Sequence, residues 1–241
     1  MFNEFVNNRE SLQYNKDLIE ASEGYGELTQ IGTSDGEQIF KLVINPKAKK
    51  TLCCVAGLHG DEKGGPYGVL EFIKSKPYIP KHKKLVLIPL ANPHGFKRNK
   101  RWCADGVDMN RHFMDEELKG DCKIVWDAIK DENMSLLHTL HEDGRIKSWY
   151  CYHTEHKQIA EGLRDLAKKY FPIFGKNGDC WGDKIEEGLV SDPLSDKNTL
   201  EDKVYLDHWI PYITTETPGL ASMNKRAEYN KLAIKLIVSQ F

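Results

Sequence analysis

The chain predicts a single α/β domain, built on a mainly parallel mixed sheet with helices on both faces. Three observations carry that expectation. Short continuous apolar runs, suited to strands buried on both sides, alternate with segments of helical period. Two of the runs, Thr51–Ala56 and Lys84–Leu90, end in turn signals: Gly57 after the first and Asn92-Pro93-His94-Gly95 after the second. Side chains able to do chemistry gather just beyond strand ends, where open α/β sheets collect their functional groups.

The elements follow in order. Residues 10–22 carry a weak helical pattern, and Glu27–Ile31 with Gln38–Ile44 flank a Gly/Ser/Asp turn, which predicts a hairpin or meander. Thr51–Ala56 is the first buried strand. Gly64-Gly65-Pro66 comes next; proline at a first helical position, followed by Val69, Leu70, Phe72 and Ile73, predicts a helix to about Lys76. Lys84–Leu90 is the second buried strand, Cys122–Ile129 a helix, and Ser135–His141 a third strand, with Lys147–His153 a neighbour rich in aromatic residues. Residues 156–170 place Ile159, Ala160, Leu163, Leu166, Ala167 and Tyr170 on one helical face. Residues 172–204 show no period and are expected to be loop. Trp209–Thr215 is a last strand ending at Glu216, and a closing helix aligns Tyr229, Leu232, Ala233, Leu236 and Ile237. The whole chain, 1–241, thus reads as one domain, with 1–24 a helical N-terminal extension and the core from about 25 to 241.

Composition bounds the function. With 241 residues, 40% of them hydrophobic, the chain fills a core without disulfides. Its 34 basic and 36 acidic residues leave a net charge of −2, so no nucleic-acid partner is expected, although Lys97-Arg98-Asn99-Lys100-Arg101 is locally basic beside Trp102. No basic start followed by an apolar stretch marks a signal peptide, and no run is long enough to span a membrane. Six cysteines, at 53, 54, 103, 122, 151 and 180, include no C-x-x-C pair. Free thiols in a reducing, cytoplasmic compartment are the simplest reading.

Four strand ends carry the chemistry: His59-Gly60-Asp61-Glu62, Asn92 to Arg111, His141-Glu142-Asp143, and Glu216. His59 and Glu62, three apart in a glycine-rich turn, can converge on a metal. A histidine about eighty residues later, at another strand's end, completes a two-His, one-Glu set with an open position, the arrangement of catalytic zinc. His138 and His141 are three apart in a strand and point to opposite faces, so only one reaches the metal. Its place at the strand end favours His141.

The ordered set Ala56-Gly-Leu-His-Gly-Asp-Glu62, Asn92-Pro-His-Gly95, Gly106-Val-Asp-Met-Asn-Arg111, Leu140-His-Glu-Asp143 and Thr215-Glu-Thr-Pro218 resembles the zinc carboxypeptidase family. Within it the chain is most similar to the murein-peptide amidase type and to the succinylglutamate desuccinylase/aspartoacylase branch. The resemblance runs from about residue 50 to the C-terminus. It implies a zinc-hydrolase domain holding one Zn²⁺ on His59, Glu62 and His141, with Asp108 orienting His59. It also implies Arg101, favoured over Arg98, as the group that polarises the scissile carbonyl, Asn110 and Arg111 as the holders of a substrate carboxylate, and Glu216 as general base. The His94 of Asn-Pro-His-Gly replaces a commoner aspartate and has no assigned role.

The expected function is hydrolysis of an amide bond next to a free carboxylate, as a carboxypeptidase or peptide amidase acting on a small peptide. Two alternatives stand beside it: an N-acyl amino acid deacylase with the same metal chemistry, and an inactive binding module on the same fold. Oligomeric state leaves no trace in the sequence.

Overall fold

The structure is a computed structural model of the chain that describes residues 2–175, 178–180, 183–191 and 197–241, with the side chains of 2–9 and 178–180 left aside. It begins with a helix, α1 (Phe2–Ser22), and a hairpin of β1 (Glu27–Ser34) and β2 (Glu37–Ile44). Asp35 and Gly36 turn that hairpin with φ of 49° and 80°, the left-handed pair that matches strand twist. Next come β3 (Lys50–Ala56), α2 (Gly64–Lys74), β4 (Lys83–Ile88), α3 (Pro93–Arg98), a 3₁₀ turn at Met109–Arg111 and α4 (Gly120–Ile129). β5 (Met134–Asp143), β6 (Tyr150–His153) and α5 (Lys157–Ala167) follow. The chain closes with β7 (Gly178–Cys180), β8 (Asp183–Ile185), β9 (Leu189–Ser191), α6 (Leu200–His208), β10 (Tyr212–Pro218) and α7 (Met223–Gln240).

Eight strands form one sheet in the order β1-β2-β4-β3-β5-β10-β6-β9, with β7 and β8 paired apart. β4, β3, β5 and β10 run parallel at its centre, while β2 joins β4, and β6 joins β10, in antiparallel fashion. The central strands are apolar on both faces because both are covered, as the continuous runs require. Leu52, Cys54 and Ala56 of β3 pack with α1, α2, α5 and α7; Cys53 and Val55 pack with α4 and α6.

The mainly parallel mixed sheet between two helical layers is therefore as expected, and three elements differ in detail. Residues 172–204 are not plain loop: β9 extends the sheet by pairing parallel with β6, and α6 opens at Leu200. Asn92-Pro-His-Gly is a turn that starts a helix, with the Asn92 side chain capping the Gly95 amide at 2.8 Å. The first helix is longer than 10–22, and it packs into the core: Tyr14 and Leu18 are buried, and the Tyr14 hydroxyl donates to the carbonyls of Pro66 and Pro89 at 3.0 and 3.2 Å.

Cys53, Cys54, Cys103, Cys122 and Cys151 are free and buried, whereas Cys180 has its side chain outside the described residues. No helix among the described residues is long and apolar enough to cross a membrane.

Candidate active site

The first of the site's supports is the turn after β3. Gly57 takes φ of 67°, and a Cβ there would stand 2.8 Å from Leu90, so glycine lets the strand break sharply into His59. Gly60 lies against the backbone of α3, where a Cβ would meet the Gly95 carbonyl carbon at 2.0 Å. Asn92, fully buried, ties the neighbouring loops together: its Nδ2 donates to the Arg101 carbonyl at 3.1 Å, and its backbone amide donates to the Gly57 carbonyl at 2.8 Å. The loops after β3 and β4 are thereby fixed to each other.

Strand register brings the rest. β3, β5 and β10 are neighbours in the sheet, so residues far apart in sequence end side by side. Glu216 is the register partner of His141 across the parallel β5–β10 pair, which puts the two on the same face. His138, three positions earlier, faces away; it is buried against Thr215 Oγ1 at 3.2 Å and Cys54.

His59 Nδ1 lies 2.6 Å from Glu62 Oε1, and His141 Nδ1 lies 2.8 Å from Glu62 Oε2. The backbone amide of Glu142 also donates to Glu62 Oε2, at 3.1 Å. One ligand atom from each of His59, Glu62 and His141 falls within 4.8 Å of the others, and all three residues are buried. Two imidazoles and a carboxylate are the donor types a divalent transition metal prefers, and the set fits one ion.

Burial alone would raise the Glu62 carboxyl, but the flanking imidazoles overcome it and hold that group well below the usual carboxylate range. For His141, burial works against charge, and Glu62, Glu201 and Glu216 outweigh it, so the imidazole holds its proton more tightly than usual. Three carboxylates around one imidazole mark a place built for positive charge.

Asp108 accepts from His59 Nε2 at 3.1 Å and from Arg101 Nε at 2.7 Å. Burial pushes its carboxyl up, but His59 and Arg101 pull it well below its ordinary value. Arg101 Nη1 reaches within 3.6 Å of Glu62 Oε1, so the guanidinium stands beside the candidate metal centre. Arg98, its rival in the sequence, turns outward to Asp35 at 2.9 Å. His94 joins the same outward cluster, 3.1 Å from Asp35, and clasps α3 to the β1–β2 hairpin.

A cleft of about 840 Å³ opens above these groups and is lined also by Asn110, Arg111, Tyr150, Tyr152, Thr214 and Glu216. All eight residues expected in the site therefore lie in it or, for Asp108, directly behind it. Asn110 turns its amide inward: Oδ1 accepts from the Leu200 amide at 2.9 Å and Nδ2 donates to Glu201 Oε2 at 3.2 Å. Arg111 Nη1 donates to the Asn110 carbonyl at 2.7 Å.

One residue of the site was missed by sequence reasoning. Glu201, on the first turn of α6, is buried beneath the cleft with Oε1 at 3.6 Å from His141 Nε2. Burial would raise its carboxyl, but His141 and Thr139 bring it down to about 2. The available signal was Thr199-Leu-Glu-Asp202, a helix-start pattern that the structure realises as a reciprocal capping box.

Residues 48–142 match the family model of the succinylglutamate desuccinylase/aspartoacylase catalytic domain. No curated protein matches the chain. Among solved structures, a candidate metallopeptidase of Shewanella baltica OS155 superposes with a TM-score of 0.83 at 25% identity, covering 94% of this chain and 90% of its own. A metallo-carboxypeptidase of Pseudomonas aeruginosa, in complex with (2-guanidinoethylmercapto)succinic acid, gives 0.73 at 16% identity over 93% of this chain and 67% of its own. Murein-tripeptide amidase MpaA of Escherichia coli O157 gives 0.65 at 18% identity, covering 92% of this chain and 96% of its own.

Proposed function

We propose that this chain is a member of the zinc carboxypeptidase-like superfamily, as its match to the family model over residues 48–142 and its likeness in fold support, and that it is a zinc-dependent hydrolase of an amide bond adjacent to a free carboxylate, acting on small peptides. The observation that carries the proposal is the meeting of His59 Nδ1 and His141 Nδ1 on the two oxygens of Glu62 at the floor of a polar cleft. These three residues would hold one zinc ion, which supplies Lewis acidity, polarising a carbonyl oxygen and acidifying a water molecule.

The chain's own groups do the rest. Glu216, half-buried beside His141, takes the proton of the attacking water and returns it to the leaving amine. Arg101, held by Asp108, presents fixed positive charge where the oxyanion develops. Arg111 receives the substrate carboxylate in its planar fork, and Asn110, committed to Leu200 and Glu201, holds the wall beneath it. The cytoplasmic setting read from the cysteines belongs to the same proposal.

A second reading, deacylation of an N-acyl amino acid, is favoured by the desuccinylase/aspartoacylase family model over 48–142. It uses the same centre on a different substrate. The zinc-loaded chain should be assayed for release of C-terminal amino acids from peptides and, in parallel, for release of succinate or acetate from N-acyl amino acids. Amino-acid release supports the first reading; succinate or acetate release alone replaces it with the second. Glu216→Gln should retain zinc and lose about 10²–10⁴-fold in kcat, the range of a lost general base. A wild-type chain that binds zinc yet hydrolyses neither class would instead be a binding module.

A further inference from the structure

The candidate metal centre holds its two imidazoles by the same atom, and that choice dictates what must lie behind each ring. Both Nδ1 atoms face Glu62, so an ion shared by the three residues takes Nδ1 from each histidine. A neutral imidazole has one ring proton, which coordination at Nδ1 confines to Nε2. Each Nε2–H then points into a buried region and needs an acceptor. For His59 that acceptor is Asp108 Oδ1, at 3.1 Å.

For His141 two atoms lie near Nε2: Asn110 Nδ2 at 3.5 Å and Glu201 Oε1 at 3.6 Å. Asn110 cannot serve. Its Oδ1 accepts the Leu200 amide, which fixes Nδ2 as a donor. A donor facing a donor is repulsive, and of these two groups the acceptor is the Glu201 carboxylate.

Its cradle points the same way. Glu201 is buried, accepts from the hydroxyls of Thr139 and Thr214, and accepts from Asn110 Nδ2. Thr139 stands two residues before His141 on β5, and Thr214 two before Glu216 on β10, so each hydroxyl shares a sheet face with the functional group of its own strand. The carboxylate therefore sits beneath the two strands that carry the second histidine and the proposed base.

We propose that Glu201 is a positioning residue for the metal centre: it fixes the Nε2–H tautomer and the orientation of His141 as Asp108 does for His59, making α6 part of the metal-binding apparatus. This deepens the zinc reading and rests on it. The residue is not catalytic in our assignment, since it touches the ligand and not the substrate.

The test uses the full chain and zinc alone. Zinc affinity is measured by competition with a chromogenic chelator for wild type, Glu201→Gln and Asp108→Asn, alongside the unfolding midpoint of each metal-free protein and the visible absorption of each cobalt(II) derivative. Wild type should bind one ion; if it binds none, the metal reading itself fails and this inference goes with it. Given wild-type binding, E201Q should lose about 10–100-fold in affinity, as should D108N, because both replace the charged acceptor behind a ligand histidine with a neutral amide, one of whose two ends is a donor. The metal-free midpoint of E201Q should fall, because a buried carboxylate that accepts from Thr139, Thr214 and Asn110 is replaced, and its cobalt spectrum should shift as well.

Wild-type zinc affinity in E201Q, or a lowered metal-free midpoint with affinity and cobalt spectrum unchanged, overturns the proposal. If E201Q does not accumulate as folded protein, Glu201→Asp replaces it. One methylene shorter, it draws the carboxylate back from Nε2, and an affinity equal to wild type in that variant is equally fatal.

Discussion

Arg101 and Arg111 both line the cleft half-buried, but they are held in different ways. Arg101 is pinned through Nε to Asp108, leaving Nη1 beside Glu62, where the proposed reaction would develop charge. Arg111 is braced on the Asn110 carbonyl further out, where it can meet a charge the substrate already carries. A group that acts mainly on the transition state affects kcat, whereas one that binds ground and transition states alike affects KM. Arg101→Ala should therefore lower kcat by about 10²–10³-fold, the cost of one oxyanion donor. Arg111→Ala should raise KM by about 10–100-fold, in keeping with about 1.5–3 kcal/mol for a charged hydrogen bond. Steady-state constants showing the opposite pattern would exchange the two roles. His138 makes a separate residue-scale prediction. Burial pushes its imidazole down to about 3, while the unfolded chain's imidazole titrates near about 6.5. Between those values the unfolded state binds more protons, so this histidine's contribution is full above about pH 6.5 and drains away as pH falls, by at most about 1.4 kcal/mol per pH unit. Denaturant unfolding of wild type and His138→Asn near about pH 7 and about pH 5 should show the smaller loss in the variant; equal losses would mean that His138 is not buried neutral.

The turn between β3 and α2 is the element on which the site is built, and its glycines work by close approach. Gly60 stands against the Gly95–Phe96 peptide, with a Cβ position 2.0 Å from one backbone carbon and 2.2 Å from the next nitrogen. Backbone on both sides leaves no side chain to swing away, so Gly60→Ala must displace the turn that carries His59 and Glu62. Overpacking of this kind costs about 1–3 kcal/mol, and zinc affinity should fall with it. An unfolding midpoint and zinc affinity both at wild-type level would show that the loops after β3 and β4 are less tightly joined than described. Much of this element was legible: an apolar run, a glycine and H-x-x-E in order locate strand, break and candidate ligands. α6 was not. Its buried positions, Leu200, Glu201 and Val204, share one face, but only two of the three are apolar, and a glutamate in a first helical turn is ordinarily read as a solvated charge favoured by the helix dipole. β8 and β9, three residues each, are too short to show alternation. Glu201 was hidden for that reason: nothing local distinguishes a carboxylate that will be buried by a partner 60 residues away in sequence, as His141 is.

At the scale of the molecule, the site exists because of strand order. β3, β5 and β10 are adjacent and parallel, so their carboxyl ends deliver His59 with Glu62, His141, and Glu216 to one place, although the sequence separates them widely. The sequence marks which residues end strands; it does not state which strands are neighbours, since pairing depends on the whole sheet. The expectation of a mainly parallel mixed sheet holds, and the strand order itself comes from the structure. Such a centre joins segments that drift apart on unfolding, so an ion bound there should stabilise the fold by mass action. With free zinc at about 1,000 times its dissociation constant, the gain is about 4 kcal/mol, reduced by any zinc held by the unfolded chain. For a domain of this size each kcal/mol moves the midpoint by about 2–4 °C, so zinc should raise it by on the order of 10 °C over the chelated protein. Glu216→Gln should show the same rise, because Glu216 belongs to the proposed chemistry and not to the ligand set, while His141→Ala should lose most of it. A midpoint indifferent to zinc in wild type, or a rise in H141A equal to that of wild type, would mean that the ion does not bridge β3 and β5.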